Sequence, residues 1–312
     1  MESNNLLYHY TDIKAAIGIL KSGVLFFSNC RKMNDVTEFK HADRFILETI
    51  EKATDDLLCG KNKISNLPDS IDYEKLKKEV AKDFQDIMVK ALGQEFYIFS
   101  STQHHDDYEK DHGSLVMWRG YGKKNGCSIV FDKNQLESIF KTGQKQKKYG
   151  VFICDEVKYL HEYNAEIIEK SFGKTYDNFY KNLRINLKAI FEAHIDGKYE
   201  AKKEDYVRPF IAIKSLLKHP AFNSEKEYRM GVFTNIDSND DGSLIKVEGG
   251  LIKAEDGIIK LPIAEQGFPI KKIIVSPIGD YQDINVDFLK WFIQSDPRYH
   301  GIEVTKSAIP HI

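Results

Sequence analysis

Apolar and polar positions near the N-terminus follow the order strand, helix, strand. The apolar and aromatic run 6–10 predicts a short strand. Thr11 or Asp12 can cap a helix over 13–21, and Gly23 suits its C-terminal end. Strand-forming residues return at 24–28. The chain is therefore expected to open with two strands joined by a capped helix.

Longer helical and extended patterns fill the rest of the chain. Residues 73–92 and 165–219 are predicted to be mainly helical because apolar residues recur on one face. The first stripe is Leu76, Val80, Phe84, Ile87, Met88 and Ala91, and the second is Phe179, Leu183, Leu187, Ile190 and Phe191. Further strands are expected at 95–101, 126–131, 151–159, 227–234, 258–263, 270–276 and 302–307, with helices at 114–121 and 286–294.

Strands at both ends with helices between them predict an α+β fold, with a single domain over 1–312 and a helical insertion at about 165–219. The glycine-rich stretch 240–250 lies between strand-like residues, so a hairpin is expected there. Neither a Pro- or Ser-rich linker nor an internal repeat divides the sequence.

Composition narrows the class of protein. The chain is 42% hydrophobic and 29% charged, with a net charge of −2, so no overall field draws it to nucleic acid or anionic lipid. The basic run 141–148 is typical of a solvated loop. The four cysteines are widely spaced, and we find neither a signal peptide nor a membrane-spanning segment. A cytoplasmic protein with no membrane partner is the expectation.

Three segments place polar groups at the end of an apolar strand. They are YHYT at 8–11, FSST at 99–102 with MWRGY at 117–121 downstream, and SEKEYRM at 224–230. Taken singly, each suits an ordinary structural role: a packed histidine, core aromatics, or a solvated strand edge. Alternation along an extended chain would put Glu225 and Glu227 on the same side.

The order of these segments resembles that of the ADP-ribosyltransferases, in which a first-strand His or Arg, a second-strand Ser motif and a late Glu line one NAD cleft. The opening LYHYTDIKAAIGILKSGVLFF looks like the start of the DNA-modifying members. This resemblance implies a split, mainly antiparallel sheet and NAD as substrate.

The chain also resembles domain-of-unknown-function family 2971 along most of its length. The matching pieces are LYHYT, FFSN with MNDVTEF, IFS, MWRGYG with GCSIVFD, HPAFNSEKEYRM, IKKIIVSPIG and VTKSAIP. One departure is Val36, where that family usually has proline.

Cleavage of the nicotinamide–ribose bond builds positive charge on the ribose, which a fixed carboxylate stabilises. The resemblance implies Glu227 for that carboxylate, with Glu225 directed toward the acceptor. The remaining predicted NAD contacts are His9 at the adenosine ribose, Thr11 at the NAD backbone, Ser100 or Ser101 positioning Glu227, and Trp118 or Tyr121 stacking on nicotinamide. No metal is required.

The predicted function is an NAD-dependent ADP-ribosyltransferase or NAD glycohydrolase that acts as a toxin or anti-phage effector, with a defence-system protein as partner. The acceptor is left open among protein, DNA, RNA and water. One alternative is a non-catalytic nucleotide-binding module that regulates a partner. A second is a metal-dependent nuclease built on His104, His105 and His112, against which stands the solvated character of that loop.

Overall fold

The fold is described from a computed structural model. The structure describes residues 5–30, 38–58, 96–122, 125–145, 151–162, 164–196, 213–233, 236–238, 244–246, 257–265 and 267–310, with a few positions between 72 and 82. The predicted stripe of 76–91 lies outside this part of the chain, as do Asn34 and Asp35 of the MNDVTEF piece.

The strands and helices are numbered in chain order. The strands are β1 (Leu6–Asp12), β2 (Val24–Asn29), β3 (Phe96–Thr102), β4 (Gly126–Asp132), β5 (Val151–Glu156), β6 (Lys158–Tyr159), β7 (Leu217–Lys218), β8 (Glu227–Phe233), β9 (Ile236–Ser238), β10 (Leu244–Lys246), β11 (Ile258–Pro262), β12 (Ile270–Val275) and β13 (Glu303–Lys306). Within the described residues, the α-helices of six or more residues are α1 (Ile13–Ser22), α2 (Glu38–Leu58), α3 (Asp107–His112), α4 (Lys133–Lys145), α5 (Ala165–Phe172), α6 (Lys174–Asp196) and α7 (Gln282–Gln294).

The chain divides into two compact units. The first comprises Met1–Asn29, Tyr97–Val157 and Ala221–Ile312, and the second Cys30–Phe96 and Lys158–Pro220. The single domain over 1–312 stays a prediction. In the second unit, the predicted stripe of α6 is buried at Phe179, Leu183, Leu187 and Phe191. The segment expected to be mainly helical ends instead in the short strand β7, which pairs in parallel with β6.

An α+β fold with a mixed, mostly antiparallel sheet is found, as the sequence predicted. In the described residues the main sheet has nine strands and runs β11-β2-β3-β1-β4-β12-β13, while β8 pairs with β3 and β5. Only β12 and β13 pair in parallel among the registers seen in this sheet. Within the described residues, β9 and β10 pair antiparallel, which agrees with the hairpin expected around 240–250.

The opening of the chain folds as its capping residues predict. Asp12 caps α1, since its Oδ1 accepts a hydrogen bond of 2.7 Å from the Ala15 backbone N. Gly23 ends the helix at φ 65°, a left-handed conformation that favours glycine. The predicted strand 151–159 is instead divided into β5 and β6 at Val157.

The two faces of the main sheet bury different sets of side chains. One face, which we call the helix face, packs Leu7, Phe27, Phe99, Ile129 and Tyr228 together with residues of α1, α4 and α7. The other, which we call the tyrosine face, packs Tyr8, Tyr10, Met117, Trp118, Val130 and Ile274. Because side chains alternate along a strand, this division assigns every position of β1, β3 and β8 to a face.

Candidate functional site

The three candidate motifs lie on neighbouring strands. His9 is on β1, Ser100 and Ser101 are on β3, and Glu227 begins β8. The Ser101 hydroxyl donates a 3.1 Å hydrogen bond to the carbonyl of Tyr228, next to Glu227. Residues separated by more than two hundred positions are therefore brought together at β3 by the sheet.

Their side chains do not share a face. His9 stacks on Phe99 with ring centroids 4.6 Å apart, and Tyr228 joins the same core on the helix face. Alternation then places Ser101 on the helix face but Ser100 and Glu227 on the tyrosine face. The expectation that His9 and Glu227 point into one cleft is not met, because the His9 side chain lies on the helix face and the Glu227 side chain lies on the tyrosine face.

His9 links β1 to β3 where the two strands separate. The pairing of these strands is seen at Tyr8 and Thr102, and beyond it the His9 Nδ1 lies 3.0 Å from the Ser100 carbonyl. A carbonyl can only accept, so Nδ1 carries the proton and donates it. Burial lowers the pKa of His9, which favours the neutral ring. Thr11, two residues further along, is half-buried and pairs with Cys127.

Trp118 is part of the core. Its side chain has 0% exposure, its Nε1 donates a 2.9 Å hydrogen bond to the His112 carbonyl, and its ring meets Tyr10 edge-on at 4.7 Å. A Cβ at Gly113 would lie 2.7 Å from the indole, and one at Gly122 would lie 2.6 Å from it. Because the indole is fully buried, Tyr121 is the aromatic of this pair with accessible surface.

Tyr121 and Glu225 form a pair at the surface. The Tyr121 side chain is 40% exposed, and its hydroxyl donates a 3.2 Å hydrogen bond to Glu225 Oε1. Tyr121 lies in a π-helical turn, Trp118–Gly122, and Glu225 ends a 3-10 helix, Pro220–Glu225. The loop between β3 and β4 thus meets the segment that leads into β8.

Glu225 and Glu227 do not belong to one extended segment, contrary to the expectation from alternation. Glu225 is still helical, and Lys226 adopts φ 45°, a left-handed conformation uncommon for a residue with a side chain. The regular strand begins only at Glu227. This reversal breaks the two-residue period, so the orientation of Glu225 cannot be deduced from that of Glu227.

Glu227 is held in a buried ion pair. Arg229 Nε and Nη2 donate hydrogen bonds of 2.7 and 2.9 Å to its two carboxylate oxygens. The two residues are 6% and 2% exposed, and they share a face because they are two positions apart on β8. Arginine matches a carboxylate in this bidentate manner, and the guanidinium offsets the negative charge locally. The sequence did not single out Arg229, although the i, i+2 spacing of opposite charges on a predicted strand was a usable signal.

A chain of polar contacts supports the same end of β3. The Tyr10 hydroxyl accepts from the Ser114 backbone N at 2.8 Å, so its own hydrogen is directed to His104 Nε2 at 2.7 Å. Burial lowers the pKa of His104 to about 4, which leaves the ring neutral with its proton on Nδ1. That nitrogen lies 3.3 Å from Glu109 Oε2, and Lys226 Nζ donates a 2.7 Å hydrogen bond to the same oxygen.

This chain of contacts has consequences for the histidine-rich loop. The His104 side chain is buried, whereas His105 is exposed, and His112 Nδ1 accepts a 3.3 Å hydrogen bond from the Ala308 backbone N. The expected solvated loop is in part the helix α3, capped by Asp106. Within the described ranges, no group of three or more His, Cys, Asp or Glu side chains is arranged to hold a metal ion. Nor does any described helix have the length and apolar character required to cross a membrane.

Comparison with known families gives one match. A family model described as a protein of unknown function (DUF2971) matches residues 117–230. This range contains MWRGYG, GCSIVFD and HPAFNSEKEYRM, three of the sequence pieces that carried the resemblance. Searches of curated proteins and of solved structures return no match.

Proposed function

We propose that the chain is an NAD-consuming enzyme of the ADP-ribosyltransferase type, a transferase or an NAD glycohydrolase. The observation that carries the proposal is the pairing of Tyr121 with Glu225 beside the strands that bear His9, Ser101 and Glu227. The pair offers an aromatic ring and a carboxylate at the surface, next to a sheet with the motif order of that superfamily.

The chemistry required of the site is charge stabilisation. As the nicotinamide leaves, positive charge develops on the ribose ring, and a carboxylate fixed near it lowers the barrier. Glu225 is suited to this role because it is only half-buried and is oriented by the Tyr121 hydroxyl. The exposed ring of Tyr121 can stack on the flat nicotinamide.

We reassign both glutamates from the roles that the resemblance implied. Glu227 is enclosed with Arg229, so we assign it to holding the start of β8 that carries Glu225. Lys226, which lies between the two glutamates, is held by its hydrogen bond to Glu109. Glu225 then acts at the ribose, and Glu227 acts through the backbone that positions it.

The decisive experiment is NAD⁺ turnover by the purified chain and by Glu225→Gln. This variant keeps the size of the side chain but removes the charge. Loss of one preorganised stabilising group typically lowers the rate by about a hundred- to thousandfold, equivalent to about 3–4 kcal/mol. NAD⁺ affinity should change little, since the charge acts mainly in the transition state. The control is Glu303→Gln, an exposed glutamate on β13 at one end of the sheet order.

Failure of turnover in the unmodified chain, with and without cell lysate as a source of acceptor, would contradict the enzymatic proposal. Turnover that is unchanged in Glu225→Gln but abolished in Glu227→Gln would restore the catalytic role to Glu227. The acceptor, whether protein, nucleic acid or water, is identified in the same assay by the fate of labelled ADP-ribose. A role as a toxin or anti-phage effector in the cytoplasm, with a defence-system partner, remains part of the proposal.

A second candidate is a non-catalytic nucleotide-binding module. It is favoured by two observations: His9 and Glu227 lie on opposite faces of the sheet, and Glu227 is neutralised by Arg229. This candidate predicts saturable binding of NAD⁺ or ADP-ribose in calorimetry without release of nicotinamide. Release of nicotinamide at a rate proportional to protein concentration would exclude it.

A further inference from the structure

Helix α7 carries an apolar stripe on its outer side. The stripe consists of Tyr281, which occupies the N-cap position of the helix, and of Ile284, Phe288 and Trp291; the four are 55%, 63%, 42% and 64% exposed. Their spacing of three, four and three residues aligns them along one side of the helix. The rings of Phe288 and Trp291 are 6.1 Å apart between centroids. The stripe therefore forms one continuous apolar surface.

The inner side of α7 is already anchored. Val286, Leu289 and Ile293 are buried against the helix face of the sheet, at exposures of 7%, 0% and 6%. A helix that packs one apolar stripe into its own core does not need a second stripe for folding. The outer stripe is thus available for a contact with another molecule.

The charges around the stripe favour a protein partner over a lipid surface. Asp283, Asp287 and Lys290 lie on α7, and Asp280 precedes it. Helices that lie on anionic membranes are instead rich in Lys and Arg on their polar side. Lys306 pairs with Asp283, but the three aspartates still outnumber the two lysines, and this excess opposes binding to such a membrane.

We propose that the outer stripe of α7 docks onto the same stripe of a second copy of this chain. If a fully exposed side chain of this size offers about 200 Å², the four residues expose about 450 Å² per copy. Two copies would bury about 900 Å² through these residues alone, so a small contribution from flanking side chains is enough to reach the roughly 1,000 Å² that a specific interface needs. A two-fold axis near the middle of the helix places Tyr281 against Trp291 of the other copy and Ile284 against Phe288.

The test is the oligomeric state of the full chain, measured by sedimentation velocity and by light scattering after gel filtration across the micromolar range. We expect a concentration-dependent dimer. Trp291→Asp should raise the dissociation constant by about thirtyfold or more, the size of effect typical of an aromatic hot-spot residue. The matched control is Ile185→Asp on α6, a residue that is 57% exposed, which should leave the dimer intact.

Circular dichroism of each variant separates loss of the dimer from loss of the fold, and Trp291→Gln provides a second, uncharged variant. A chain that stays monomeric at every concentration would overturn the proposal. So would a dimer that persists in Trp291→Asp, or loss of the dimer in Ile185→Asp. Binding of the monomer to phosphatidylserine vesicles through Trp291 would replace the proposed partner with a lipid surface.

Discussion

The buried pair of Glu227 and Arg229 allows a quantitative test of the role assigned to it. Arg229→Met removes the guanidinium and leaves the Glu227 carboxylate enclosed without its bidentate partner. With both residues at 6% exposure or less, this is a buried ion pair and not a surface one. Breaking such a pair from one side typically costs about 3–5 kcal/mol of unfolding free energy.

The double variant Glu227→Gln with Arg229→Met removes both charges at once. It should recover most of the loss, because no uncompensated charge stays buried. A double-mutant cycle should therefore give a coupling of about 2 kcal/mol or more between the two positions. The assay is urea unfolding followed by tryptophan fluorescence, in a Trp291→Phe background that leaves Trp118 as the single reporter.

A matched control is present in the same unit. Arg298 contacts Asp296 with the same i, i+2 spacing and through two guanidinium nitrogens, but this pair is at the surface. Exposed pairs contribute little, so Arg298→Met should barely shift the unfolding curve. Additive effects of the Glu227 and Arg229 changes, or a loss in Arg229→Met no larger than in Arg298→Met, would refute the role of this pair in holding β8.

Three further outcomes are expected. Gly113→Ala should destabilise the fold by about 2 kcal/mol or more, because φ is 76° there and a Cβ would lie 2.7 Å from the Trp118 indole; thermal unfolding measures this loss. Tyr10→Phe should cost about 1–3 kcal/mol, since it leaves the Ser114 N–H and His104 Nε2 without their buried partner, as denaturant titration would reveal. The pKa of His104 is lowered to about 4, so the unfolded chain binds more protons than the folded one between pH 6.5 and 4. The free energy of unfolding should therefore fall as the pH decreases through that window, by a few kcal/mol in total. A free energy of unfolding that does not change across this range would contradict the buried neutral ring.

Much of the fold could be predicted because local patterns decided it. Asp12 and Gly23 determine where α1 begins and ends, and each does so through its own backbone chemistry. The alternating runs of the main strands were located to within one or two residues for the same reason. The strand β7 was missed because two residues carry too little periodicity, and its pairing with β6 comes from a distant part of the chain.

The candidate site was less predictable, since it depends on the face of the sheet that each side chain occupies as well as on which strands are neighbours. The order of the motifs was enough to predict that β1, β3 and β8 lie together. A shift of one residue along a strand moves a side chain to the other face, however. No local pattern indicated whether His9 and Glu227 lie on the same face of the sheet. The positive φ of Lys226 then separates the two glutamates in a way that their spacing did not indicate.

These two features together explain why the surface pair is a better candidate for catalysis than the buried one. A carboxylate that must respond to charge developing on a substrate needs access to it and a preorganised orientation. Glu227 is preorganised, but the opposite charge of Arg229 lies within 2.9 Å of it and its surface is covered. Glu225 has both access and an orienting hydroxyl from Tyr121. The turn at Lys226, which precedes the strand, is what allows two acidic residues only two positions apart to take these separate positions.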